Sequence, residues 1–265
     1  MKIPMPATYA HYRFGAQMLK RMPADMRPTA NCHRRMYDVG LHGPDLFFYY
    51  RPGIPAKLRV LGHKFHIQTG REFFSRICRN LRLEPSEAAQ AYLYGVLCHY
   101  ALDAACHPYV EEQCQEGLLS HTRIETEFEA FLFDLDGKRT SAQRDLSRHI
   151  QLKPAECETV SRFYPGTDAR QIASCVKSMA NIRKLLALPD GDPRKLLSGV
   201  MSAASQQFSQ MIIGPEPDVR CEAMMQPLLQ RYDKAAQRFP DMLMQLGAHL
   251  TYNAPLGEEF NPIFG

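Results

Sequence analysis

His99, Asp103 and His107 recur four residues apart in the segment YGVLCHYALDAACHPYV. On an α-helix that spacing stacks all three side chains on nearly one face. Their neighbours Leu93, Val96, Leu97, Ala101 and Leu102 are apolar, so the helix is expected to be buried and to carry three ionisable groups inside with it. Such groups are costly to bury unless they are paired or bind a cation. A His–Asp–His hydrogen-bond network would serve, but a metal ion compensates all three together and is the stronger reading.

Four further pieces carry the same donor chemistry. His121 and Glu125, again four apart, can both reach one metal from a single helical turn, and they follow His107 by one short connection. In isolation the pair would read as a capped, solvated helix start. Asp45 ends the loop GLHGPD, where glycine and proline can aim a carboxylate into a cleft. A turn-forming Asp is an equal local alternative, and His42 competes for the same role. His63 and His66 lie three apart in GHKFHIQTGREFF, close to one helix face, with one of them a ligand candidate. His11 stands in the first expected helix. Seven of the ten histidines precede residue 108 and His121 is an eighth, so the donors concentrate in the first half of the chain. Imidazole and carboxylate suit zinc and similar ions, and this many donors exceeds what one ion needs.

The elements that must position these residues read as helices nearly throughout, because the apolar periodicity is helical and no run alternates convincingly as a strand. Helices are expected over 7–21, 28–38, 56–81, 86–106, 121–135, 142–150, 154–163, 167–188, 193–208 and 217–246. Ser86 and Ser120 are placed to cap the helices that follow them. Proline after Asp192 and after Glu216 marks further helix starts. The chain is read as one all-α domain over 1–265, a multi-helix bundle. Its metal site comes from 5–136, its helices over 137–250 pack against that part, and 251–265 is a surface tail.

Composition narrows the function classes. A chain of 265 residues with 45% apolar and 23% charged residues is an ordinary globular protein. A formal net charge of +4 is too weak to argue for nucleic acid, which is not expected as a partner. The longest apolar stretch, 91–106, is interrupted by His99 and Asp103 and so is not a bilayer span. The first fourteen residues lack an apolar core of signal-peptide length, so a cytoplasmic location is expected. The eight cysteines form no C-x-x-C pair, so neither a thiolate zinc site nor a disulfide framework is signalled.

In order and type, these residues resemble the bacterial zinc-dependent phospholipase C family: a His near the start, a loop Asp, a His, then H-x3-D with a further His, then H-x3-E. The stretches MPATYAHYRFG, GLHGPDLFFYY and HYALDAACHPYVEE resemble most closely a small intracellular branch. The resemblance runs over about 5–136; beyond it only helical character is shared. It implies a helical bundle around a zinc cleft with two or three ions. His66, His99, Asp103 and Asp45 would serve one ion, and His107, His121 and Glu125 a second. His11 would serve a third, with Asp103 bridging to it. His66 is preferred to His63 because the family places this His shortly before an aromatic pair, here Phe73 and Phe74. Secreted members complete the third site with the amine and carbonyl of an N-terminal Trp, and this chain has no Trp. The Asp103 to His107 gap is also shorter than theirs.

The implied activity is phosphodiester hydrolysis by zinc-activated water, with Asp45 orienting that water or taking its proton. The substrate would be a phospholipid or related phosphodiester, met through peripheral membrane contact. The aromatic run 46–50 could shape a pocket for an acyl-glycerol or quaternary ammonium group, or it could be core. No lipid-binding β-domain is visible in the second half, which argues against a secreted membrane-damaging role. Two other functions fit the same donors: a related zinc nuclease or other phosphodiesterase, and a helical metal- or lipid-binding protein without turnover. A di-iron bundle would need paired E-x-x-H motifs, and an HD-type phosphohydrolase an adjacent His-Asp pair; the chain has neither.

Overall fold

A computed structural model of the chain describes residues 8–50, 56–115, 119–189, 191 and 209–265. The described helices are α1 (Thr8–Arg21), α2 (Arg27–Cys32), α3 (Arg34–Gly40), α4 (Lys57–His66), α5 (Gly70–Leu83) and α6 (Glu87–Gln115). They continue with α7 (His121–Leu135), α8 (Ser141–Arg144), α9 (Pro154–Ser161), α10 (Ala169–Leu186) and α11 (Glu222–Tyr252). Short 3-10 turns occupy Gly43–Tyr49, Ser147–His149 and Glu258–Phe260. Among the described residues there is no strand, only an isolated β-bridge between Thr69 and Ile263. The fold is all-α.

The centre is α6. Every residue from 91 to 103 is buried, the pattern of a helix that is enclosed on all sides. Helices α3 and α11 pack on it most extensively, with α1, α2, α5, α7, α9 and the Gly43–Tyr49 turn completing the shell. The α3 crossing is unusually close. A Cβ on Gly95 would overlap the backbone carbonyl of Tyr37, and one on Gly40 would overlap that of Tyr92. Two glycines facing each other let the helix backbones touch, and so fix the start of the loop that carries Asp45.

Several expected elements are divided differently in space. The helix expected over 28–38 breaks at His33, whose φ of −108° and ψ of 43° leave the helical region. The helix expected over 56–81 is two helices. Thr69 caps α5 through a capping box with Glu72, which stops α4 at His66 and leaves that imidazole at a helix end. In contrast α6 runs nine residues past the expected 106, through Pro108, and so keeps His107 in register with Asp103. The helix expected over 142–150 survives only as the single turn α8 and a 3-10 turn. The last long helix starts at Glu222, with residues 217–221 outside it, and reaches Tyr252. The helix expected over 193–208 lies outside the described residues. Both serine caps form: Ser86 Oγ accepts from Ala89 N at 3.3 Å and Ser120 Oγ from Arg123 N at 3.2 Å.

The aromatic run after Asp45 is core. Leu46, Phe47, Phe48 and Tyr49 are all essentially inaccessible, and Phe47 packs edge-on to Tyr164. The segment after Tyr252 follows the surface only in part, because Phe260 and Phe264 are fully buried against Phe74 and Tyr100.

Candidate metal centre

Five elements bring eight predicted donors together. Helix α1 supplies His11, the Gly43–Tyr49 turn Asp45, and the last position of α4 His66. Helix α6 supplies His99, Asp103 and His107, and the first two turns of α7 supply His121 and Glu125. Gly43 makes the Asp45 loop possible. Its φ of +43° lies in the left-handed region, and a Cβ there would sit 2.6 Å from His99 Cδ2. The loop therefore lies directly on the ring it must reach.

The donors fall into two adjoining groups. Donor atoms of His11, Asp45, His99 and Asp103 lie within 4.8 Å of one another, as do those of His107, His121 and Glu125. In the first group, His11 Nε2 is 3.2 Å from Asp103 Oδ1, His99 Nε2 is 3.0 Å from Asp103 Oδ2, and His99 Nδ1 is 3.7 Å from Asp45 Oδ2. In the second, Glu125 Oε1 is 3.3 Å from both His107 Nε2 and His121 Nε2. Asp103 joins the two, since the same Oδ1 that faces His11 lies 3.6 Å from His107 Nε2. His11 thus occupies the place beside His99, Asp103 and Asp45 that the family resemblance gives to His66.

His66 instead meets this group through Asp45. Its Nδ1 donates to the Gly62 carbonyl at 2.8 Å, and its Nε2 lies 2.8 Å from Asp45 Oδ1. A neutral ring donating from Nδ1 presents a lone pair at Nε2, which a carboxylate oxygen repels unless a proton or cation lies between them. His63 joins neither group; its ring lies 5.0 Å from Phe48. His42 points elsewhere too, with Nε2 3.0 Å from Nε2 of His149, whose ring stacks on Tyr12.

These side chains fit a bound cation on their own chemistry. Asp45 Oδ2, Asp103 Oδ2, Glu125 Oε2, both nitrogens of His99 and Nε2 of His121 are buried with no hydrogen-bond partner. Buried native polar groups are almost always paired, and here carboxylate oxygens and imidazole nitrogens converge without pairing. Without a cation, protons must do that work. Burial opposes charge on His107, but Asp103 and Glu125 outweigh it and hold the ring at about 10. Burial likewise pushes Glu125 up, yet His121 and His107 bring it down to about 2. Asp103 is held well below the usual carboxylate range, where His99, His107 and His11 overcome its burial. The field in the pocket is one that stabilises positive charge.

An all-α bundle whose central helix offers such donors is a helical scaffold for a metal centre. The sequence model of the zinc dependent phospholipase C family matches residues 10–174, and the chain belongs to that family. The match reaches past residue 136, where the visible resemblance stops, through α9 and into α10. Membership supports a phospholipase-like hydrolase, zinc dependence and a lipid substrate. No curated protein and no solved structure matches the chain.

Residues 264 and 265 were not expected near the donors. Phe264 lies 6.1 Å from the His99 ring centroid to centroid, and Gly265 rests against the His107 ring. Nothing local in the sequence marks them, because the contact spans more than 150 residues.

Proposed function

We propose that this chain is a zinc-dependent phosphoric diester hydrolase of phospholipase C type, acting on a phospholipid or a closely related phosphodiester. The observation that carries the reading is the convergence of imidazole and carboxylate atoms, buried and unpaired, from five separate elements. His11, Asp45, His99 and Asp103 would hold one ion, and His107, His121 and Glu125 another, with Asp103 shared between them. When bound, zinc polarises phosphate oxygens and makes water a stronger nucleophile near neutral pH.

The chain's own residues do the rest. His66, fixed by the Gly62 carbonyl, presents its Nε2 lone pair beside Asp45 Oδ1, so that the two would face the same cation. Asp45 Oδ2, which has no hydrogen-bond partner, would accept the proton of the attacking water. Water oxygen bonds to phosphorus as the ester bond to the alcohol breaks, and the alcohol leaves with the proton that Asp45 took from the water. For a phospholipid the products are diacylglycerol and a phosphorylated head group. No described helix is long and apolar enough to cross a membrane, so a bilayer substrate would be met at its surface.

The nuclease alternative finds less support. Several of the basic residues that could have formed a groove are committed within the chain. Arg35 pairs with Glu156, Arg71 donates to the carbonyls of Leu256 and Gly257, and Arg76 donates to that of Phe163. The test is hydrolysis by zinc-loaded protein of phosphatidylcholine, bis-p-nitrophenyl phosphate and single-stranded DNA. Diacylglycerol release supports the proposal. Cleavage of DNA alone would replace it with a nuclease. Two tightly held zinc ions without turnover of any of the three would make the chain a metal-binding protein.

A further inference from the structure

With every donor in place, the metal centre is closed. Side-chain exposure is below 10% for His11, Asp45, His66, His99, Asp103, His107 and Glu125, and 19% for His121. The cavity lined by His11, Asp103, His107 and Glu125 measures about 20 Å³, room for a water and little more. A phosphodiester reaches these atoms only if something moves.

One segment lies across the site while contributing none of the predicted donors. Its base, 256–262, is tied down. Arg71 binds the carbonyls of Leu256 and Gly257 and the side chain of Asn261, and Tyr100 donates toward the carbonyls of Glu259 and Pro262. Residues 263–265 are held by main-chain contacts to 66–69 and by one ring. Ile263 forms the bridge to Thr69 and is 44% exposed. Phe264 N donates to the Gln68 carbonyl at 3.3 Å, and Gly265 N to the carbonyl of His66 at 3.2 Å. The Phe264 ring is the anchor, wedged between Tyr100 at 4.9 Å and Phe73 at 5.1 Å. Gly265 then fits against His107 because it has no side chain; a Cβ would overlap that ring. The strap is thereby stitched to a donor residue of α4 and pressed on a donor of α6.

We propose that residues 263–265 are the access-determining wall of the metal centre. Seated, they confine it to water; swung away about the 261–262 anchor, they open a path for a phosphodiester along the His66 and His107 side. This rests on the metal-centre reading above. It adds that the aromatic seat of Phe264, and not the donors alone, governs which molecules arrive.

The test uses the zinc-loaded full chain. Thr69→Cys with Ile263→Cys converts the bridge partners into a disulfide that pins the strap, and Phe264→Ala empties the anchor. Thr69→Cys alone controls for the eight native thiols. Zinc release to an excess of chelator is followed beside hydrolysis of bis-p-nitrophenyl phosphate. The oxidised pair is expected to release zinc and to turn over at about a tenth of the rates of Thr69→Cys alone, and to recover both to that level on reduction. Phe264→Ala, starting with the same zinc content, is expected to release zinc about tenfold faster. The rates of Thr69→Cys alone in the pinned form would overturn the proposal, and would mean that traffic passes His121 instead. Should Phe264→Ala not fold, the disulfide arm decides alone, its reduced form being its own control. Slowed zinc release in a protein that cleaves no phosphodiester would keep the strap and remove the hydrolase. A chain that binds no zinc would remove both.

Discussion

Asp103 is the residue on which the two donor groups depend together, because its carboxylate faces His11, His99 and His107 at 3.2, 3.0 and 3.6 Å. An amide of the same shape offers one oxygen and a nitrogen that repels a cation. Asp103→Asn is therefore expected to lose at least one zinc equivalent and to lower hydrolysis about a hundredfold or more. Metal analysis beside the activity assay reads both, and unchanged zinc content would remove Asp103 as a shared ligand. This residue was legible in the sequence because helical periodicity fixes the i, i+4 relation without any knowledge of the fold. Asp45 was legible only as one of two loop candidates. Local spacing could not separate it from His42, which the tertiary structure turns toward His149. His66 could be preferred to His63 only through the family resemblance. Where that ring sits beside Asp45 depends on where α4 stops, and Thr69 sets that stop through a capping interaction weaker than the periodicity around it.

At the scale of elements, the site is held by how α6 is clamped. The α3–α6 crossing brings backbone against backbone at Gly40 and Gly95, directly before the loop with Gly43 and Asp45. A methyl at position 95 would meet the Tyr37 carbonyl, which belongs to a helix and cannot rotate away as a side chain can. Gly95→Ala is expected to destabilise the fold by about 2 kcal/mol, within the range for overpacking in a core. Its zinc affinity should also fall, since α3 moves and carries the Asp45 loop with it. Urea unfolding and zinc titration measure the two. Full stability with unaltered affinity would show that the helices can slide apart at no cost. Helix identity was readable from the chain because apolar periodicity is a local property. Helix ends were less so: α6 continues past Pro108, a residue that would end an isolated helix, with Cys106, His107 and Val110 beside it buried in the bundle. The strap at 263–265 lay beyond such reasoning altogether, its contacts being made with residues far away in sequence.

For the whole molecule, the balance of buried charge predicts how stability answers to pH. The His42–His149 pair belongs to neither donor group, though it lies beside them. Burial holds His42 well below its ordinary value and brings His149 down to about 3, with Arg183 and Arg34 adding to the effect on His149. Both imidazoles fold neutral, whereas the unfolded chain protonates them near 6.5. A group whose pKa is depressed by folding contributes stability above its unfolded pKa and loses it as the pH falls toward the folded one. His11 and His107 shift the opposite way: their folded values are raised, so their contribution is complete below 6.5 and fades as the pH climbs. Between pH 6.5 and about 5.5 the raised histidines are therefore silent and the carboxylates, with unfolded values of about 4, have barely begun to titrate. In that window the zinc-free protein should lose up to about 1.4 kcal/mol per pH unit for each imidazole that unfolding releases. Replacing the pair by His42→Gln with His149→Gln keeps two polar side chains in contact but removes both proton sites. Urea unfolding of the two zinc-free proteins at pH 6.5, 6.0 and 5.5 should give a falling stability for the native chain and a shallower fall for the variant, in which His63, also lowered by burial, still contributes. Parallel slopes would mean that the His42–His149 contact opens to solvent in the folded state, and that the interior beside the metal centre is wetter than its packing suggests.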